Sequence, residues 1–239
     1  MNTKKIDKKG IKLIAHRGLS GIETENTASA FVAAGNRSYY GIETDVYRTK
    51  DGKFVLSHDT CYKRVGGSKM EIEQTELSKL QRIVFYDKDG TKSRRDLRPA
   101  TLENYLSIVK KYEKHAVLEL KSKFTEEEIS RIIDIIKSYD YLDNLTFISF
   151  EYENLLKVRK FLPNQSAQYL FWKVTDEEIE RLKRDRIDVD VWCKELTKEQ
   201  IEKCHAAGLT VNCWTVDEED VAEQFVSWGI DYITTNILE

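Results

Sequence analysis

Nowhere does this 239-residue chain stay apolar for long: its apolar runs last only a few residues, against about 20 for a membrane-spanning helix. The lysine-rich start, Met1 to Gly10, has no apolar centre and so does not read as a signal peptide. A basic excess is also missing, since 38 Lys and Arg face 41 Asp and Glu for a net charge of −3. Domains that grip nucleic acid carry the opposite balance, which excludes that partner. A small anionic substrate stays compatible, because a site can be locally cationic inside a mildly acidic protein. Cysteine is sparse and scattered: Cys61, Cys193, Cys204 and Cys213 form no CxxC pair, and we expect reduced thiols in a cytoplasmic protein. Internal repeats, low-complexity tracts and interdomain linkers are absent too.

What is present is enough for a large core. Hydrophobic residues make up 41% of the chain and charged residues 33%, the composition of an ordinary soluble domain. The length suits one domain, and closed barrels of about 250 residues commonly fold as one unit. Short β-rich runs alternate with longer amphipathic ones. The strand candidates are Ile11–Ala15, Gly41–Val46, Ala116–Leu120, Leu145–Ser149, Ala167–Phe171, Ile187–Val191, Leu209–Trp214 and Ile230–Thr234. Between them, patterns such as Ile129, Ile132, Ile133 and Ile136 share one helical face. Thr125 with Glu128, Thr175 with Glu178, and Thr197 with Gln200 have the spacing of capping boxes at helix starts. Repeated βα units predict a parallel sheet with helices outside it. The number of strands, and the lack of GxGxxG after the first, favour a closed (β/α)8 TIM barrel over an open doubly wound sheet.

Two irregularities interrupt the pattern. A short β-run at Lys53–Ser57 is followed by a long interval, 58–100, before a helix near Thr101. That interval is too long for a βα loop and predicts a small inserted subdomain after strand 2, with a hairpin at Lys88–Gly90 and a short helix at Glu76–Arg82. The chain also stops soon after the last strand, which predicts a missing or vestigial final helix.

Alternation locates the chemistry. Within Gly41–Val46, Glu43 and Asp45 project from one face while Ile42, Thr44 and Val46 take the other. Two buried carboxylates side by side repel unless a cation lies between them. Glu119, with Lys121 on the same face, ends the next main strand. Three strand-end carboxylates form a hard oxygen site suited to one divalent cation, Mg²⁺ or Ca²⁺. A salt-bridged network would use the same residues, but the C-terminal rim of a barrel is where catalytic groups collect. His16 and His58 each end a β-run beside these strands, matching a general acid–base pair. Arg17 offers a bidentate fork to a phosphate, and Lys121 lies where it would meet the same group. His115 and His205 read as bystanders. Trp214 ends a strand, where it either packs against a substrate or covers core, and Phe150 and Trp172 also sit at strand ends. Asn26 either holds substrate, orients the His16 loop or caps the helix that follows. An EF-hand-like loop at Asp87–Gly90 fails for want of its closing glutamate.

In order along the chain, Ala15–Gly18, Glu25–Thr27, Glu43 with Asp45, Asp51–Gly52 and His58–Asp59 resemble the blocks of the glycerophosphodiester phosphodiesterases. Thr101–Glu103, Glu119–Lys121, Trp214–Val216, Gly229–Asp231 and Thr234–Thr235 continue the likeness, which spans 11–236. The resemblance implies a barrel with an insertion, one cation on Glu43, Asp45 and Glu119, and acid–base roles for His16 and His58. It also implies phosphate contacts from Arg17 and Lys121. The implied reaction cleaves a small-molecule glycerophosphodiester to glycerol 3-phosphate and an alcohol, with His16 favoured as base and His58 as acid. Related readings are a lysophospholipase D-like activity and a non-catalytic phosphodiester-binding barrel. Thr24 replaces the family's usual proline, and Tyr62–Arg64 departs from its usual residues; both changes are expected in the pocket wall.

Overall fold

The computed structural model describes residues 2–239. Its strands are β1 (Lys12–Ala15), β2 (Gly41–Arg48), β3 (Phe54–Leu56), β4 (His115–Leu120), β5 (Leu145–Ser149), β6 (Ala167–Phe171), β7 (Asp188–Trp192), β8 (Val211–Trp214) and β9 (Tyr232–Thr235). They form one sheet in the order β1-β9-β8-β7-β6-β5-β4-β2-β3, and a further β1–β2 pairing closes it. All neighbours are parallel except β3, which runs antiparallel to β2 outside the ring. The chain is an α/β closed barrel, and every strand expected from the sequence takes part in it.

Strand alternation builds two layers. Outward residues such as Ile42, Val46, Leu118, Val189 and Val191 are fully buried beneath the helices. Inward residues Ile14, Val117, Ile148 and Leu170 form a separate apolar floor inside the barrel, with Trp214 and Tyr232 packed against it. The helix Glu126–Ser138 buries Ile129, Ile132, Ile133 and Ile136, the face its spacing predicts. Truncating one of these side chains to alanine typically costs about 2–5 kcal/mol. Thr125 and Thr197 make complete capping boxes. Thr175 makes only half of one, because Glu178 turns to Arg181 at 2.6 Å instead of reaching back to the cap. Thr101 caps the helix Leu102–Lys111 with Asn104 as its reciprocal partner.

Residues 58–100 fold outside the barrel around a second cluster of Tyr62, Ile72, Leu80, Phe85 and Leu97, packed on Tyr47 and Val55. A short helix covers Leu77–Leu80, and a further one, not foreseen, covers Lys63–Gly66. The expected hairpin at Lys88–Gly90 is only a turn, closed by Asp87 N–H to Thr91 O at 2.7 Å, with no strand on either side. Phe85 before the turn is buried, but Thr91–Arg95 after it has no apolar residue to pair with, so no ladder follows. Among the described residues no helix follows β9, and none is long and apolar enough to cross a membrane.

Candidate active site

The barrel's register brings the acidic residues together. β2 and β4 pair so that Asp45 lies beside Glu119, while Glu43 sits two residues deeper opposite Val117. All three are buried, and one oxygen from each lies within 4.8 Å of the others. Burial, with the charges of Asp45 and Glu119, raises Glu43 well above the usual carboxylate range. Burial and Asp45 likewise push Glu119 to about 8. Burial also opposes ionisation of Asp45, but Arg17 and Lys121 outweigh it and hold Asp45 at about 2. Asp45 Oδ1 is buried with no hydrogen-bond partner among the described residues. An all-oxygen cluster with an unfilled acceptor and mutual repulsion fits a hard divalent cation.

Cations flank the cluster. Lys121 Nζ lies 2.9 Å from Glu119 and 3.5 Å from Asp45. Arg17 donates its backbone N–H to Glu43 at 2.7 Å and a guanidinium N–H to Glu25 at 3.0 Å, and its Nε lies 3.6 Å from Asp45. This posture needs a left-handed backbone at Arg17, φ 55°, followed by Gly18 at φ 77°. A Cβ on Gly18 would come within 2.7 Å of Ala30, so glycine is required for the loop to sit on the helix Ala28–Gly35.

The two histidines are wired differently. His16 Nδ1 lies 2.8 Å from Asn236 Oδ1. The Asn236 amide N donates to Asp217 at 2.6 Å, which fixes the amide so that its oxygen faces His16. His16 therefore carries its proton on Nδ1, leaving Nε2 with a free lone pair. Burial, reinforced by Arg17, lowers His16 to about 4 and keeps the ring neutral. His58 Nδ1 instead meets the Asp59 carboxylate at 2.8 Å, a charged acceptor where His16 has an amide oxygen. Arg64 bridges Asp59 at 2.9 Å and Glu25 at 2.6 Å, tying the His58 loop to the Arg17 loop.

One cavity collects most of these groups, with Asp45 and Lys121 outside its lining. Its polar side is His16, Arg17, Glu43, His58 and Glu119, and its other side includes Phe150, Leu170, Asp190 and Trp214. Trp214 lines the cavity and also packs on the floor. Phe150 and Trp172 continue outward from it, with Trp172 58% exposed and its ring 5.3 Å from that of Trp214.

Asn26 is tied to the loop that carries His16, its backbone N–H donating to Arg17 O at 3.0 Å. It neither caps the following helix, which Thr27 does, nor lines the cavity. Its amide donates to Asp45 at 2.8 Å and accepts from Thr44 at 2.7 Å, so both ends are committed to holding the carboxylate. The departures at Thr24 and Tyr62–Arg64 also lie outside the cavity wall. Thr24 Oγ1 donates to Tyr86 O at 2.7 Å, and Tyr62 OH to Leu56 O at 3.0 Å. These contacts, with those of Arg64, join 58–100 to the site loops. Sequence reasoning missed the anchors Asn236, Asp217, Asp59, Glu25 and Arg64, and it missed Asp190.

Fold and site together define a closed α/β barrel with a buried acidic cluster and two histidines at its mouth, the class to which barrel phosphodiesterases belong. The model of the Glycerophosphoryl diester phosphodiesterase family matches residues 16–239, and the chain belongs to that family. It is 27% identical over 236 residues to a glycerophosphodiester phosphodiesterase of Caldanaerobacter subterraneus, covering 94% of this chain and 93% of that protein. An Oleispira antarctica phosphodiesterase, solved with its product sn-glycerol-3-phosphate, superposes with a TM-score of 0.88 at 26% identity, covering 94% of this chain and 92% of that one. A Thermotoga maritima glycerophosphodiester phosphodiesterase gives 0.74 at 26% identity, covering 95% and 94%.

Proposed function

We propose that the protein hydrolyses small glycerophosphodiesters, such as glycerophosphocholine and glycerophosphoethanolamine, to sn-glycerol 3-phosphate and an alcohol. The observation that carries this reading is the opposed wiring of two histidines in a cavity lined by Glu43 and Glu119, with Asp45 clustered beside them. Glu43, Asp45 and Glu119 hold one divalent cation, Mg²⁺ or Ca²⁺. When bound, the cation draws charge from a non-bridging phosphate oxygen and offsets the charge of the transition state. Arg17 and Lys121 orient the phosphate. His16 Nε2 takes the proton of the nucleophile, either water or the substrate's own 2-hydroxyl, and His58, paired with Asp59, gives a proton to the leaving alkoxide. Trp214 packs against the glycerol carbons.

We take the chain as one phosphodiesterase domain, with 58–100 as an insertion that braces the His58 loop. Its four free cysteines agree with a reducing, cytoplasmic setting. The exposed ring of Trp172 beside Phe150 favours a second reading, cleavage of lysophospholipids whose chain lies along that rim. The decisive assay is release of glycerol 3-phosphate from glycerophosphocholine, with EDTA and then with Mg²⁺ or Ca²⁺ restored. We expect loss on chelation and recovery with one metal. Turnover of lysophosphatidylcholine alone would transfer the weight to the second reading, and no turnover of either would favour a non-catalytic binding barrel.

A further inference from the structure

Asp190 occupies the middle of β7, a strand whose alternation puts Asp188, Asp190 and Trp192 on the inward face and Val189 and Val191 under the helices. It lies opposite Leu170 of β6 and Asn212 of β8 in the barrel register. The strand order sets β7 across the barrel from β2, so Asp190 faces the cavity from the side away from Glu43 and Asp45. Its exposure is 1%. Its Oδ1 has no hydrogen-bond partner, and no cationic side chain pairs with it among the described residues. A buried acceptor left unpaired is unfavourable, so Oδ1 is open to a donor from a ligand.

Of the neighbouring donors, the Asn212 amide bears on Asp190 but leaves Oδ1 without a hydrogen bond. The Asn212 amide gives its N–H to Thr234 Oγ1 at 3.0 Å, and Thr234 returns a bond to Asn212 Oδ1 at 3.3 Å. The Trp214 indole N–H goes to the Asp190 backbone carbonyl at 3.3 Å, which fixes the ring beside the carboxyl. A second phosphate is unsuitable here, since no cationic side chain among the described residues pairs with Asp190 to offset its charge. A neutral hydroxyl is suitable. It supplies the missing donor, and the carbon bearing it packs on Trp214 and Leu170. Arg17 and Asp190 line the same cavity, so a ligand whose phosphate meets Arg17 can extend a hydroxyl-bearing arm toward Asp190.

We propose that Asp190 is a specificity-determining residue that accepts a hydrogen bond from a free hydroxyl of the substrate's glycerol arm. This rests on the phosphodiesterase reading above and adds to it the feature by which a polyol phosphodiester is told from an alkyl one. A site built around a hydroxyl rejects the analogue lacking it, because the buried acceptor is then left unpaired.

The test reads binding by calorimetry, on the full chain with Mg²⁺ present, for sn-glycerol 3-phosphate and for propyl phosphate. The second ligand keeps the phosphate and the three-carbon arm but has no hydroxyl. We expect the unaltered protein to prefer glycerol 3-phosphate by about 10-fold or more. Asp190→Leu should erase that preference while leaving propyl phosphate bound as before or more tightly. Asp190→Asn, nearly isosteric and a weaker acceptor, carries the same test should the leucine variant not fold. It should weaken glycerol 3-phosphate by about 3-fold or more without moving propyl phosphate. Equal weakening of both ligands in either variant, no preference in the unaltered protein, or binding of neither ligand overturns the proposal. Because the readout is binding, absent turnover would sink the hydrolase reading and leave this result to stand on its own.

Discussion

The two ends of the barrel use similar residues to opposite effect. At the N-terminal end, His115 shares a proton with Thr146 at 2.8 Å and stacks on Tyr40, while Lys12 lies over the rings of Tyr40 and Tyr232. Asp188 accepts the Thr210 N–H at 2.9 Å, and His205 meets Asp231 at 2.8 Å. Each of these groups has a partner within the fold. At the C-terminal end, three carboxylates crowd together, and Asp45 Oδ1 and Asp190 Oδ1 lack hydrogen-bond partners among the described residues. One end is arranged for stability. The other holds unmet interactions whose natural completion is a cation and a substrate.

That contrast can be broken at the mouth first. Glu43→Gln removes one of the repelling charges while spoiling the oxygen cluster. We expect phosphodiesterase activity at background, loss of stabilisation by added Mg²⁺, and a metal-free melting temperature higher by about 2–4 °C, equivalent to about 1 kcal/mol. A thermal melt with and without Mg²⁺ reads both signs, and a lower metal-free melting temperature would refute the repulsion argument. Next come the histidines. His16→Ala and His58→Ala should each lower turnover by about 10²-fold or more with little change in stability, whereas His205→Ala should leave turnover unchanged. Near-normal rates in both mouth variants would remove the acid–base assignment.

The smallest expected effect sharpens the comparison from the base. Burial, helped by Lys12, lowers His115 to about 4 from an ordinary 6.5. The unfolded chain therefore takes up a proton below 6.5 that the folded protein refuses until about 4. His115 contributes its full stability above pH 6.5, and that contribution falls away as the pH drops through this window. Urea midpoints measured from pH 7 to pH 4.5 should decline less steeply in His115→Asn than in the unaltered protein. Parallel declines would show that the ring is not held neutral by the fold.

Much of this was legible beforehand because it rests on local periodicity. Two-residue alternation placed Glu43 with Asp45 and Glu119 with Lys121, and a four-isoleucine stripe identified the face of the helix Glu126–Ser138. The same alternation runs through Asp188 and Asp190, yet one ends at the satisfied base and the other in the cavity. Nothing local separates them. The turn at Lys88–Gly90 misled for a related reason: turn chemistry is present, but the segment after it, Thr91–Arg95, has no apolar face to bury.

By itself the amino-acid order determined the succession of strands and helices, most of the caps, and which side chains share a face, since these follow from backbone repeats of two and 3.6 residues. Only the closed barrel decided which faces meet. It put Asp45 beside Glu119 through the β2–β4 register and set β7 across from β2. It also brought Asn236 to His16 across 220 residues of sequence, selecting the tautomer with a free Nε2. A proton's location depends on the partner at the other end of a hydrogen bond, and that partner is chosen by long-range packing.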